Sequence, residues 1–417
     1  MKFAAPRGTH DVWGEMTRKL QFLEHMSRRV FQRYNYSEIR TPMFEDAGLF
    51  TRSIGESTDI VEKEMYVFAD RKGRKLALRP EGTASVVRAY LEHNLAQELP
   101  VSKLYYTGSM FRYERPQAGR YREFLQIGAE YFNNPAPAAD AEIIVLARDL
   151  LSSVGLQDVA IHLNTLGCSA CRPAFRAALK KYFSAQPDVC ADCQRRLEHN
   201  PLRLLDCKID GHKFHGVPQM TDHLCAACAT HFQSVQDLLG AGHCSFVVDP
   251  RLVRGLDYYT RTVFEIRSAH VGSQDALAAG GRYDTLIEEM GGPSTPSVGF
   301  ALGSERVLMA CDAQKTLAAV SHPGGLFIAV TGQSVFTAAF AAASALRARP
   351  ETTHPVEGPF ADKTLKSQMK LADKMGADTV VIFGDEEYNR GIVLVRDMKT
   401  QVQSEMEISR FLQGSKP

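Results

Sequence analysis

Residues 103–132 read KLYYTGSMFRY ERPQAGRYRE FLQIGAEYF, and this stretch decides the fold. Its two ends, 103–113 and 124–132, are rich in Tyr, Phe, Leu and Ile and predict strands. The middle is polar and turn-rich, with Pro116 and Gly119. The unit is therefore strand, arginine-rich loop, strand. Side chains alternate faces along a strand, so Phe124, Gln126, Gly128 and Glu130 share one face and Leu125, Ile127, Ala129 and Tyr131 the other. The second set is core. The first sets a carboxamide near a carboxylate, with Gly128 leaving room between them for a small cationic or hydrogen-bonding ligand. Arg112 closes the first strand, and Glu114, Arg115, Arg120 and Arg122 follow within ten residues. Guanidinium forks match phosphate oxygens, so this loop reads as a polyphosphate clamp. Taken singly, both features also fit a solvated sheet face and a charged hairpin.

The chain's 417 residues suggest two or three domains. A composition of 44% hydrophobic and 23% charged residues excludes global disorder. Lys plus Arg number 49 against 48 Asp plus Glu, a formal net charge of +1. That excludes a molecule-wide polybasic binder and leaves nucleic-acid contact to local patches. The start, MKFAAPRGTHDVW, has too short an apolar run for a signal peptide. The most apolar helical stretch, 338–347, is half a membrane span, so no membrane partner and a cytoplasmic location are expected.

Residues 14–34 predict an amphipathic helix with Met16, Leu20, Leu23, Val30 and Tyr34 inward. Residues 139–151 predict another, burying Ile143, Leu146 and Leu150. Strands are expected at 159–165 and 258–267, and VGFALGSERVLMAC (298–311) reads strand then helix. A linker around 313–325 contains HPGG. Beyond it come a strand at 326–331, helices at 335–348 and 362–376, strands at 379–383 and 391–397, a turn at 384–391 and a short helix at 404–413. Such alternation predicts a small α/β domain. The expected division is a core of 1–166 and 246–320, a cysteine-rich helical insertion of 167–245, and a C-terminal domain of 326–417.

Four further motifs carry chemistry. LRPEGT (78–83) brings Glu81 and Thr83 to a turn, where they can clamp an ammonium. VRGLDYYTRTVFE (253–265) gathers Arg254, Asp257, Tyr258 and Tyr259 at a strand start; a buried Arg254 requires a carboxylate or a bound phosphate. GGRYDTL (280–286) and GFALGSER (299–306) set glycines beside an arginine, yet neither fits a dinucleotide fingerprint or a P-loop. Any ATP must then be held by arginines and a sheet.

With RGTHD, LRPEGT, FRYERPQAGRYREFLQIGAE, LVRGLDYYTRTVFE, GGRYD and GFALGSER in order along it, the chain resembles the histidyl-tRNA synthetases of bacterial type, from Arg7 onward. The resemblance implies a class II synthetase core of α+β type with a mainly antiparallel sheet, the helical cysteine-rich insertion, and a C-terminal α/β anticodon-binding domain. It implies activation of L-histidine with ATP and Mg2+ to histidyl-adenylate, then transfer to the 3′ end of tRNA(His), releasing AMP and diphosphate. By position, Arg112 and Arg254 are the catalytic residues, holding the α-phosphate. Glu114, Arg120 and Arg306 join Arg112 in binding ATP. Glu81, Thr83 and Gln126 take the amino-acid head group. Glu130 and Tyr259 read the imidazole, with Tyr258 and Tyr283 lining the pocket and Arg112 and Arg254 closing it. The resemblance also implies a homodimer with YNYSEIRTPMFE (34–45) near the partner, and RNA contacts from Lys363, Lys366, Lys370, Lys374 and Arg390. Ser304 and Thr285 depart from the family pattern. A catalytically silent regulatory paralogue is the competing reading; the LVRGLDYY motif and the C-terminal segment stand against it.

Seven of the nine cysteines lie between Cys168 and Cys228. Cys168–Cys171, Cys190–Cys193 and Cys225–Cys228 are CxxC pairs, and Cys207 stands alone. Any two pairs can form a structural zinc site, and spacing does not choose between them. His199, His212, His215, His223 and His231 widen the choice, and reduced thiols in a helical insert are the alternative.

Overall fold

The predicted hairpin forms as the strands Ser102–Phe111 and Glu123–Phe132, paired antiparallel with Tyr106 opposite Gly128. In this computed structural model it sits near one side of an eight-stranded sheet. Across the sheet the order is Ser37–Glu38, Ser102–Phe111, Glu123–Phe132, Ser297–Gly303, Ala276–Arg282, Thr260–Arg267, Ala160–Thr165 and Val247–Val248. All neighbours run antiparallel except the first and last pairs. Residues 3–55, 58–99, 102–186, 189–207, 209–272, 275–317, 320 and 324–413 are described. Of the linker expected at 313–325, residues 318, 319 and 321–323 lie outside them.

The first compact unit spans Met1–Ala318. Its helix Pro137–Ser153 buries Ile143, Leu146 and Leu150 as the periodicity requires. The helix Glu15–Arg33 contacts it and buries Leu23, Ser27, Val30 and Phe31. Met16, expected inward, is instead 41% exposed, because the buried stripe starts only at Leu23. The cysteine-rich segment is helical at Arg172–Ser184, Ala191–His199 and Ala226–Ala241. Its Phe175, Leu179 and Phe183 join one apolar cluster with Val86, Tyr90, Phe132 and Tyr283. A small antiparallel sheet of Phe44–Asp46, Lys75–Leu78 and Val67–Ala69 leaves Met43, Phe44, Val67 and Phe68 exposed.

The second unit, Ala319–Pro417, is a five-stranded sheet in the order Val356–Glu357, Gly325–Val330, Ala377–Phe383, Ile392–Asp397, Gln403–Glu407. Alternation along Gly325–Val330 sends Ile328 and Val330 to the helix Phe336–Arg347 and Phe327 and Ala329 to the helix Leu365–Lys374. Buried Gln368 fastens the latter helix to both backbone groups of Val330. Two local expectations change. Residues 384–391 hold a short helix, Asp385–Asn389, and 404–413 divide into the edge strand Gln403–Glu407 and the helix Ile408–Leu412. Among the described residues no helix is long and apolar enough to cross a membrane.

Candidate active site

One cavity of about 610 Å³ opens on the large sheet. Its wall includes Arg112, Glu114 and Arg120 from the hairpin loop, Glu81 and Thr83 from LRPEGT, and Gln126 from the strand face. Arg254, Tyr258 and Tyr259 enter from LVRGLDYY and Arg306 from GFALGSER. Segments far apart in the chain thus converge on one space.

The basic end is built from guanidiniums fixed by backbone carbonyls. Arg112 Nε donates to the Pro80 carbonyl at 2.8 Å, and its guanidinium lies 5.4 Å from the Phe124 ring centre. Arg306, on the helix Ser304–Gln314, donates from Nε to Gly119 (3.0 Å) and from Nη1 to Ala276 (3.2 Å). Gly119 has φ +72°, a conformation that favours glycine and turns its carbonyl toward this arginine. Glu114 sits 3.2 Å from Arg120 and 3.9 Å from Arg112. Burial, and then the charges of Arg120 and Arg112, push the Arg306 pKa down. An arriving polyanion relieves that repulsion. Arg254, partly buried at 19% side-chain exposure, has a carboxylate: it pairs with Glu265, whose other oxygen accepts from Arg267 Nε at 2.8 Å.

The opposite end is carboxylate and hydroxyl. Glu81 caps the helix Thr83–Glu92, accepting from the backbone N–H of Thr83 (2.7 Å) and of Ala84 (2.8 Å). The Thr83 hydroxyl donates to Glu130 Oε1 at 2.7 Å, and the Tyr283 hydroxyl donates to Glu130 Oε2. Tyr106 fills the gap beside them. A Cβ at Gly82 would lie 2.3 Å from its ring and one at Gly128 2.4 Å, so both positions need the missing side chain. Gln126 Oε1 and the Tyr106 hydroxyl are buried and have no hydrogen-bond partner among the described residues. Two orphaned polar atoms on a cavity wall mark where a ligand's polar groups belong.

The structure also redistributes some expected residues. Glu130 (1% exposed) and Tyr283 stand behind the wall and do not line the cavity. Arg122 turns away, stacking 3.9 Å from the Tyr113 ring centre and donating to the Arg7 carbonyl, and Arg115 is exposed. Of the four loop arginines, then, two reach the cavity. Asp257 points elsewhere and accepts from Asn200. Sequence reasoning missed Tyr106, Glu265 and Arg267. Glu265 lies inside the quoted motif, and its pairing follows from the rule that a buried arginine needs a carboxylate. Tyr106 becomes visible only with the register that sets it opposite Gly128.

Away from the cavity the seven clustered cysteines form two groups: Cys168, Cys171, Cys225 and Cys228, and Cys190, Cys193 and Cys207 with Asp210. None of His212, His215, His223 or His231 joins either group; the His199 side chain lies outside the described residues.

A family model described as histidyl-tRNA synthetase matches residues 8–171 and 194–307, and one described as an anticodon-binding domain matches 334–414. The chain is 54% identical to the histidine–tRNA ligase of Endomicrobium trichonymphae, covering 99% of this chain and 100% of the relative. It is 48% identical to that of Desulforamulus reducens, covering 98% and 97%. The crystal structure of apo histidyl-tRNA synthetase from S. aureus superposes with a TM-score of 0.83 at 34% identity, covering 99% of both chains. The chain belongs to the histidyl-tRNA synthetase family, with its class II core and C-terminal anticodon-binding domain.

Proposed function

We propose that this chain is an ATP-dependent histidine–tRNA ligase whose cavity on the large sheet takes Mg·ATP and L-histidine side by side. The observation that carries the reading is the meeting of Arg112, Arg120, Arg254 and Arg306 at one end of a cavity whose other end offers Glu81, Thr83 and Gln126. In the first step a histidine carboxylate oxygen attacks the α-phosphorus in line. The bond to the bridging oxygen breaks, and diphosphate leaves with its electron pair. No proton moves, so the catalytic work is alignment and charge stabilisation by preset donors. Arg112 and Arg254 hold the α-phosphate, while Arg120 and Arg306 hold the distal phosphates under the Glu114 loop. In the second step a hydroxyl of the terminal adenosine of tRNA(His) attacks the histidyl carbonyl, the bond to the phosphate oxygen breaks, and AMP departs as its phosphate takes up the hydroxyl proton.

Glu81, Thr83 and Gln126 take the ammonium and carboxylate of histidine, with Arg112 and Arg254 closing over them. Tyr259 and Glu130 read the imidazole nitrogens, flanked by Tyr258 and Tyr283. Since Glu130 stands behind the wall, the ring must replace the Thr83 or Tyr283 hydroxyl on its carboxylate. Leaving such a group unpaired is costly, which is how the site rejects ligands without two ring nitrogens.

The proposed division is a catalytic core of 1–166 and 246–320, an insertion of 167–245 bearing structural zinc, and an anticodon-binding domain of 326–417. The exposed Met43, Phe44, Val67 and Phe68 support a homodimer contact on the small sheet. We place the enzyme in the cytoplasm. On the helix Leu365–Lys374, Lys366, Lys370 and Lys374 are exposed at helical spacing, a stripe suited to RNA phosphates. Histidine-dependent exchange of labelled diphosphate into ATP tests the reading. The exchange is expected with histidine and with no other amino acid; a chain that binds both ligands without exchange overturns it.

A further inference from the structure

The insertion's cysteines were open to any pairing from their spacing; folding partitions them. We propose that the insertion holds two zinc ions in separate tetrahedral sites, one of four thiolates (Cys168, Cys171, Cys225, Cys228) and one of three thiolates and a carboxylate (Cys190, Cys193, Cys207, Asp210). In each group the ligand atoms all lie within 4.8 Å of one another.

The distances separate the alternatives. Sulfurs about 2.3 Å from a zinc ion stand about 3.8 Å apart along a tetrahedron's edges. Cys168 Sγ lies 3.6 Å from Cys171 Sγ and 3.9 Å from Cys225 Sγ, and Cys190 Sγ lies 3.9 Å from Cys207 Sγ. A disulfide needs about 2.0 Å. The surroundings also suit negative sulfur. The Cys225 backbone N–H donates to Cys171 Sγ at 3.1 Å, and that of Asp210 to Cys207 Sγ at 3.3 Å. Cys190 and Cys225 are the N-caps of the helices Ala191–His199 and Ala226–Ala241, whose N-terminal ends favour negative charge.

Asp210 is the most telling member. It is 1% exposed, and its Oδ1 accepts from Lys213 Nζ at 2.8 Å. Its Oδ2 accepts from the Cys190 backbone N–H at 2.7 Å and faces Cys207 Sγ at 3.8 Å. With Oδ1 held by the Lys213 ammonium, Oδ2 is the oxygen turned toward the sulfurs, where it can complete a tetrahedron around a cation. Tetrahedral sulfur-rich sites select zinc or iron.

Each site also anchors part of the active-site wall. Arg172, next to Cys171, donates to the carbonyl of cavity residue Tyr259. Cys207 directly follows Leu205 and Asp206, which line the cavity. Arg251, another wall residue, donates to the carbonyls of Gly211 (3.1 Å) and Phe214 just beyond Asp210.

The test is elemental analysis of the full chain purified without added metal or chelator. Two zinc ions per chain are expected. Cys225→Ser and Cys207→Ser should each leave one, and the double variant none. In Asp210→Asn, one of the two ions should leave about tenfold faster under a chromogenic chelator, the smaller end of what losing even an outer-shell partner costs. If a variant does not fold, an organomercurial titration of the folded wild-type chain gives the same count, with two zinc ions released as seven thiols react. Less than half an equivalent of zinc, or iron in its place, overturns the proposal. A single zinc unaffected by Cys207→Ser removes the second site, and unchanged release from Asp210→Asn removes the carboxylate as a ligand.

Discussion

At Glu130, burial works against charge. Its pKa is raised from 4.5 to about 8, by burial first, with the hydroxyls of Tyr283 and Thr83 opposing and the nearby Glu81 adding to the rise. The sign for stability follows. Between pH 4.5 and about 8 the folded chain keeps a proton that the unfolded chain has lost, so stability falls as pH rises through that window and levels off above it. Glu130→Gln has no such proton. Urea unfolding at pH 5, 6, 7 and 8 should therefore show the variant gaining on the wild type with each step, and a constant difference refutes the assignment. The same change removes a carboxyl that can give up its proton and take a negative charge opposite the imidazole once histidine binds. KM for histidine should rise about 10- to 100-fold, the worth of one charged hydrogen bond, while KM for ATP stays within about twofold, well below that cost. Equal small changes in both would defeat the pocket assignment. Arg254→Ala tests the other end. Diphosphate exchange should slow by about 10²- to 10³-fold, the usual cost of a transition-state donor. Equilibrium binding of histidine should change only modestly, and a large loss of binding with normal turnover would make Arg254 a binding residue only.

Among elements, the helix Pro137–Ser153 is tied to the sheet by a buried ion pair. Asp140 and Arg282 are both fully buried, with Arg282 Nε 3.0 Å from Asp140 Oδ2. Arg282 Nη1 also donates to the Asn134 carbonyl (3.0 Å) and to Asp284 (3.1 Å), and His231 Nε2 lies 3.4 Å from Asp140. One carboxylate thus joins the helix, the strand Ala276–Arg282 and the insertion helix Ala226–Ala241. Asp140→Ala leaves a buried guanidinium short of its charge partner. A loss of about 3–5 kcal/mol is expected in chemical unfolding; a loss under 1 kcal/mol would show that the surrounding carbonyls suffice. None of this was legible in GGRYD, where Arg282 read only as an arginine beside glycines. What was legible had a local cause. The hairpin, the helix Pro137–Ser153 and the strand–helix Ser297–Gln314 follow from alternation or helical spacing within one segment. What was not legible depends on distant partners. Residues 403–407 look helical, yet they pair with Ile392–Asp397 and become an edge strand. Glu130's place behind Thr83, Tyr106's place under two glycines and Asp210's place among thiols all arise from contacts between remote segments.

For the whole molecule, the two compact units predict two separable electrostatic problems. In the proposed reading the cavity arginines meet a small polyanion at short range, and Arg112 and Arg306 are fixed by backbone carbonyls and Arg254 by Glu265, so added salt should weaken them little. Among the described residues the exposed Lys366, Lys370 and Lys374 show no such fixing, and in the proposed reading each phosphate they neutralise on RNA releases counterions. Replacing all three by Glu should therefore leave histidine-dependent diphosphate exchange unchanged, since that reaction needs no tRNA. Aminoacylation should show a raised KM for tRNA(His). The slope of log affinity for tRNA against log salt should also flatten, by about 0.7 for each single-stranded phosphate no longer neutralised, roughly two in all. Filter binding between 50 and 200 mM salt measures that slope directly. An unchanged slope with normal aminoacylation would mean that this stripe is an ordinary solvated face, and that another surface of the 319–417 unit meets the RNA. A fall in diphosphate exchange would be the more consequential result. It would mean that the charge of the C-terminal unit reaches the cavity in the absence of tRNA, and that the two electrostatic problems are coupled.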